Sequence, residues 1–268
     1  MQKVDELGLI EIPKKEWQCK WSPTLGNLED THQNVWGTKE YQYGDKPTVF
    51  MGIYSYLDFL SVFTHQGRKC VLWCGGDILR LVRTGYWLHD SSVMTLDSNR
   101  IARWINENCE NYCENIWEHE ELEKIGIEST IVPSFLGDVN DYQVSFKPGN
   151  KLYASVSGDN FEQYGWHKIE AIARMNRDIE FHLYGNEKEW KTENKNVIVH
   201  GRVHKHIMNS EIKDMQGAIR LLNEDGFSEV LAKSVLWGQW PIAEIEYPHM
   251  LKPRHLRMIL DKQEPNIQ

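Results

Sequence analysis

The fold is decided by Glu224-Asp225-Gly226-Phe227-Ser228-Glu229-Val230-Leu231-Ala232-Lys233-Ser234-Val235-Leu236-Trp237-Gly238-Gln239-Trp240-Pro241-Ile242, a stretch that reads as a tight turn feeding a helix. Gly226 permits a backbone conformation that a side chain would obstruct, and Asp225 or Ser228 offers an oxygen to the N–H groups that open the helix. Phe227, Leu231, Ser234 and Val235 share one helical face, Gly238 suits the C-terminal cap, and Pro241 stops continuation. A helix reached through an acidic-glycine turn can hold a phosphate with its unpaired N–H groups and its dipole.

Upstream, strands and helices alternate. Residues 152–157 read as a strand, 166–175 as a helix, 180–184 as a strand closing on Gly185-Asn186, 196–199 as a strand closing on His200-Gly201, and 218–222 as a strand before the turn. A second alternation lies earlier: strand 48–53, helix 56–64, and strand 69–74 ending on Gly75-Gly76-Asp77. A strand at 92–96, helices at 99–108 and 117–125, and a strand at 127–132 complete it. Asp138, Asn140, Asp141, Pro148 and Gly149 gather turn formers between the two halves, so two α/β lobes are expected, 1–145 and 146–268, each with a mostly parallel sheet. In such lobes ligands lie at the carboxyl ends of the strands.

The segment from Asp225 to Pro241 resembles the donor-binding signature of GT-B glycosyltransferases similar to family 4, and the likeness extends over roughly residues 150–245. The resemblance implies two Rossmann-like lobes of GT-B type with an abbreviated N-terminal lobe. It also implies transfer of a sugar from a nucleotide-activated donor to a hydroxyl acceptor, with retention at the anomeric carbon, no metal and no cofactor beyond the nucleotide-sugar co-substrate. Carried over by position, Gly226, Phe227 and Ser228 would hold the donor and Asp225 its sugar hydroxyls. Asp77, ending a strand of the first lobe, would orient the acceptor hydroxyl or serve as general base. The chain departs from the pattern at three charged positions. The family's two cations fall on Asp159 and Tyr164, and its second acid falls on Lys233. A rebuilt site would take cations from Lys168, Arg202, Arg220 and Lys233, with Arg220 and Lys233 neutralising the diphosphate. Each of these residues also has a purely structural reading: Lys233 paired with Glu229 on the side of the helix opposite Leu231, Arg220 paired with Glu224 or Asp225, and Asp77 and Asp225 as helix caps. Two other functions stay open: a pseudoenzyme or glycan- or nucleotide-binding module of the same fold, and a transferase acting on modified bases in DNA through Lys14, Lys15, Lys20, Arg80 and Arg83.

Composition sets the outer limits. The chain has 268 residues, 41% hydrophobic and 26% charged, with a formal charge of −9, which disfavours a broad nucleic-acid footprint. No apolar run has the length of a membrane span, and Met1 to Glu6 lacks the pattern of a signal peptide, so cytoplasmic residence is expected. The five cysteines, including Cys70 with Cys74 and Cys109 with Cys113, are expected as reduced core thiols rather than a four-thiolate zinc site. His200, His204 and His206 read as polar loop residues. Glu114, Glu118, Glu120, Glu121 and Glu123 read as a solvated helix face. The opening segment, with Trp17, Trp21 and Trp36 among Lys14, Lys15 and Lys20, reads either as an abbreviated start of the first lobe or as a partly exposed arm packed onto it.

Overall fold

The structure, a computed structural model, describes residues 17–25, 37–81, 98–132, 134, 139–144, 146–156, 161–185, 190–222, 224–245 and 252–256. The chain divides into two compact units. One comprises Met1–Gly137 together with the tripeptide Asp225–Phe227; the other comprises Asp138–Glu224 and Ser228–Gln268.

Among the described residues the first unit holds six parallel strands, β1 (Gln18–Trp21), β2 (Lys39–Glu40), β3 (Thr48–Met51), β4 (Lys69–Leu72), β5 (Glu110–Cys113) and β6 (Thr130–Ile131), in the order β2-β1-β3-β4-β5-β6. Its helices are α1 (Tyr56–Thr64), α2 (Gly76–Leu79), α3 (Ser98–Asn108) and α4 (Ile116–Lys124). Strand alternation sorts the side chains onto two faces. Phe50 and Val71 pack with Phe59, Val62, Ile101, Ile105 and Leu122 from the helices, while Val49, Met51, Cys70 and Leu72 face Trp17, Cys19 and Trp21. Residues 17–21 are therefore no exposed arm. Trp17, Cys19 and Trp21 recur at every second position, are buried, and bring β1 into register between β2 and β3. Burying a large apolar side chain contributes ~1.5–3 kcal/mol, enough to draw so short a strand into the sheet. β5 is a further departure, because its sequence, Glu110-Asn111-Tyr112-Cys113, is too polar to read as an interior strand. Lys14, Lys15, Trp36, Arg83 and the strand expected at 92–96 lie outside the described residues.

Among the described residues the second unit holds five parallel strands, β7 (Lys151–Ser155), β8 (Glu180–Tyr184), β9 (Val197–Gly201), β10 (Gly217–Arg220) and β11 (Trp240–Ala243), in the order β11-β10-β7-β8-β9. Leu152, Ala154, Phe181, Leu183, Ile219 and Ile242 face Trp166, Ile169 and Ala173 of α5 (Trp166–Met175). Tyr153, Tyr184, Ala218 and Ala243 face Ile212 of α6 (Lys205–Ile212) and Val230 and Leu231 of α7 (Glu229–Leu236). Pro241 does more than stop α7. It lies in β11 at the sheet edge, where a missing N–H disturbs the ladder least. Leu256, expected in a crossing helix, packs in the core of this second unit, and residues 257–262 lie outside the described residues.

Candidate functional site

In the second unit the chain winds outward from β7 in both directions, through β8 and β9 on one side and through β10 and β11 on the other. The carboxyl ends of β7 and β10 therefore flank a topological switch point, the place where open α/β sheets receive ligands. α5 begins there. Its N-cap, Gly165, has φ +68° and offers no side chain to the helix N–H groups, and a Cβ built on it would lie 2.6 Å from the Leu221 carbonyl oxygen. Only glycine lets the start of α5 close onto the loop after β10 and leaves the helix opening without a side-chain cap.

The cations follow from this frame. Arg220, the last residue of β10, lays its guanidinium over the ring of Tyr164 at 4.6 Å from the centroid. Arg220 therefore stands against Tyr164, just ahead of α5. Lys168, in the first turn of α5, donates from Nζ to Glu244 Oε2 at 2.9 Å and to the Leu221 carbonyl at 3.3 Å. The partnership offsets the mismatch between a cation and the positive end of the helix dipole. About a third of each side chain in that pair remains exposed. Lys233 differs. It is buried within α7, its ammonium 3.6 Å from Glu229 Oε2, and desolvation holds its pKa below the usual lysine value. The i,i+4 pair anticipated from the sequence is present, but Lys233 is buried rather than at the surface. Ser228 Oγ accepts from Leu231 N–H and caps α7, so the capping oxygen is not Asp225's. Arg202 is exposed just after β9. His200 stacks on Tyr184 and meets His182 Nδ1 at 2.9 Å, and His204 caps α6.

In the first unit, the polar residues cluster around the tripeptide Asp225–Phe227. Asp77 is fully buried. Its carboxylate accepts from the N–H groups of Ile53 at 2.9 Å, Cys74 at 3.0 Å and Ile78 at 2.9 Å, fixing the ends of β3 and β4. Burial raises its pKa to about 6 against those three hydrogen bonds. This geometry gives Asp77 a backbone-holding role and leaves it no solvent-facing oxygen for an acceptor. Next to it, Glu114 Oε2 accepts from Phe227 N–H at 2.5 Å, and Ser134 Oγ donates to Oε1. Asn115 Oδ1 caps α4 by accepting from Glu118 N–H at 3.0 Å, while Nδ2 donates to the carbonyls of Asp225 at 2.8 Å and Gly226 at 3.3 Å. Glu118 Oε2 accepts from Glu114 N–H at 2.5 Å, and its buried Oε1 has no hydrogen-bond partner. A Cβ on Gly226 would lie 2.6 Å from Glu114 Oε2, so a larger residue requires this carboxyl to shift.

Glu114 and Glu118 overturn part of the expected solvated face: both are buried, whereas Glu120 and Glu123 are exposed. Burial, reinforced by Asp225 and Asp77, lifts Glu114 to about 8 despite its hydrogen bonds. Burial and the neighbouring Glu114 raise Glu118 well above the carboxylate range. The signal for Glu114 was its position just before the N-cap Asn115, outside the helical face to which the charge run assigned it. Among the described residues no group of three or more His, Cys, Asp or Glu side chains is arranged to hold a metal ion, and no helix is long and apolar enough to cross a membrane. The cysteines are free, and burial pushes the Cys113 thiol up to about 11.

No family model and no curated protein matches the sequence. Solved structures do. HepE of Anabaena, in complex with UDP and glucose, is similar with a TM-score of 0.56 and 10% identity over 91% of this chain and 88% of its own. TarM gives a TM-score of 0.55 and 11% identity over 80% of this chain. An S. aureus TarM variant with Fondaparinux, alpha-GlcNAc-glycerol and UDP gives 0.53 and 10% over the same share. The match covers 46% of TarM, so the chain spans about half the length of that protein. At such identities the likeness shows the fold, which is mixed α/β with two parallel sheets in Rossmann-like lobes of GT-B type.

Proposed function

We propose that this protein is a glycosyltransferase that moves a sugar from a uridine-diphosphate donor to a hydroxyl acceptor. The observation that carries the reading is the placement of Arg220 over Tyr164 at the start of α5, with Lys168 in the first turn of the helix, at the strand switch point of the second unit. Departure of a nucleoside diphosphate develops negative charge, and cations with helix N–H groups aimed at that charge supply the largest stabilising effect such a site can offer. In this reading Arg220 and Lys168 neutralise the diphosphate and the opening N–H groups of α5 bind its oxygens. No metal is required. Departure on the same face as attack gives retention. The ligands of the neighbours, UDP with glucose in HepE and UDP with a GlcNAc-glycerol in the TarM variant, favour a hexosyl donor.

One observation favours a binding module of the same fold instead. Lys168 and Lys233 are each already neutralised within their own unit, by Glu244 and Glu229. Incubation with UDP-hexoses and a panel of glycan, glycerol and small hydroxyl acceptors, following UDP release, separates the two. Acceptor-dependent UDP release supports the transferase. Nucleotide-sugar binding without turnover supports the module.

A further inference from the structure

His182 on β8 and His200 on β9 meet edge to edge. Nδ1 of the first lies 2.9 Å from Nε2 of the second, with the ring planes 24° apart and the centroids 5.1 Å apart. A β-bulge makes the meeting. Leu183 pairs with Val199 and Tyr184 with Gly201, so His200 is the extra residue of β9, and the bulge turns its ring onto Tyr184 at 4.2 Å and against His182. The outward nitrogens face carboxylates. His182 Nε2 is buried and lies 3.5 Å from Glu180 Oε2, beyond ordinary hydrogen-bond length. His200 Nδ1 lies 3.6 Å from Glu211 Oε2 on α6, the same oxygen that accepts from the Tyr184 hydroxyl at 2.8 Å. We propose that His182 and His200 are a proton-sensitive latch that fastens the edge strand β9 and the end of α6 to β8 while at most one ring is charged, and releases them when both are. The latch lies wholly within the second unit and needs no ligand at the switch point.

Proton counting gives the latch its threshold. Two neutral imidazoles carry two N–H groups, one of which lies between the rings, so one outward nitrogen presents a lone pair to a carboxylate. One added proton fills that contact and completes the chain from Glu180 through His182 and His200 to Glu211. A second would set N–H against N–H at 2.9 Å and two cations side by side, so the rings must part. The other titratable groups facing the pair are Tyr184 on β8 and Lys151 and Tyr153 on β7. Lys151 Nζ, 3.5 Å from Glu180 Oε2, draws on the same carboxylate, and Tyr153, the register partner of His182, spends its hydroxyl on Gln239. Burial lowers both histidines below their usual 6.5, and for His182 the neighbouring His200 and Lys151 add to it against the pull of Glu180. With the folded values lowered, the unfolded chain takes the protons more readily. The contribution of the latch is therefore full above the ordinary histidine value and is lost as pH falls through the folded values.

The test is amide hydrogen exchange of the whole protein at about pH 7.5 and about pH 5, corrected for the intrinsic pH dependence of exchange. The amides of β9 and of the last turn of α6 are expected to lose about tenfold or more in protection at the lower pH, while those of β7 keep theirs. His200→Gln removes the second titrating ring yet can turn either its amide N–H or its carbonyl to His182, so it should hold protection at both pH values to within about twofold. His200→Ala offers His182 nothing and should be loose at both. A parent that loosens nowhere in acid, or that loosens equally in β7, overturns the latch. So does an acid response that survives in His200→Gln, in which the imidazole of His204, the cap of α6, is unchanged and would carry it. If His200→Ala does not fold, the parent and the glutamine variant decide alone.

Discussion

Charge is managed in opposite ways in the two units. In the first, Asp77, Glu114 and Glu118 are withdrawn from water and held by backbone N–H groups, a serine hydroxyl and one another, with no cation paired to them in the described contacts. In the second, Lys168 stands at the strand switch point, paired with Glu244 and with a third of its side chain exposed. Desolvated acids respond by holding their protons and shaping the main chain. A half-exposed cation can exchange its carboxylate partner for a phosphate oxygen at modest cost. The contrast gives the first cluster an architectural role, and on the proposed function it leaves ligand chemistry to the second.

Four perturbations would break or sharpen this contrast, and Gly165→Ala is the most severe. At φ +68° with a Leu221 carbonyl 2.6 Å from the new methyl, it is expected to lower stability by ~2–4 kcal/mol and to weaken UDP binding with it. Urea unfolding followed by circular dichroism reads the first effect. Glu118→Gln comes next. A raised folded-state pKa means the fold binds protons more tightly than the unfolded chain, so this carboxyl's contribution is full below its ordinary 4.5 and is lost as pH rises. The variant should match the parent near pH 4 and exceed it by ~1–3 kcal/mol at pH 8, seen as a midpoint several degrees higher. Equal pH profiles would place the protonated acid elsewhere.

Glu244→Gln should act in the opposite sense at the switch point. It removes the carboxylate that neutralises Lys168 and is expected to tighten UDP binding about three- to tenfold, with little change in stability. The smallest effect belongs to Lys233→Met. A buried lysine already depressed by desolvation and facing Glu229 at 3.6 Å gains little from its charge, so the fold should change by less than ~1 kcal/mol or be stabilised. A large loss of UDP affinity in that variant would return Lys233 to the diphosphate.

Much of the alternation was legible because it rests on apolar period. Residues 48–53, 56–64, 166–175 and 180–184 announce their elements by side-chain spacing and by glycines at their ends, and the structure forms them within a residue or two. β5 escaped because a central parallel strand can be polar when its hydroxyl and carboxyl groups find partners, as Tyr112 with Glu110 and Asn111 with Trp73 do. The short β1 escaped because a four-residue strand carries too few repeats to distinguish it from a basic aromatic run. At the candidate site, the positions of Arg220 at the end of a strand and of Lys168 at the start of a helix were legible from the apolar pattern and Gly165. Glu114 and Asn115 were not, because their partners are main-chain atoms 113 and 110 residues away, and no spacing in a sequence reports such a bond.

The central claim is that the second unit's switch point binds a nucleoside diphosphate through Arg220 and Lys168, and calorimetric titration of UDP into the parent, Arg220→Ala and Lys168→Ala tests it most directly. Saturable binding to the parent, weakened about tenfold or more by each substitution while the unfolding midpoint is retained, is the expected result. No binding to the parent, or binding that both substitutions leave unchanged, would contradict it.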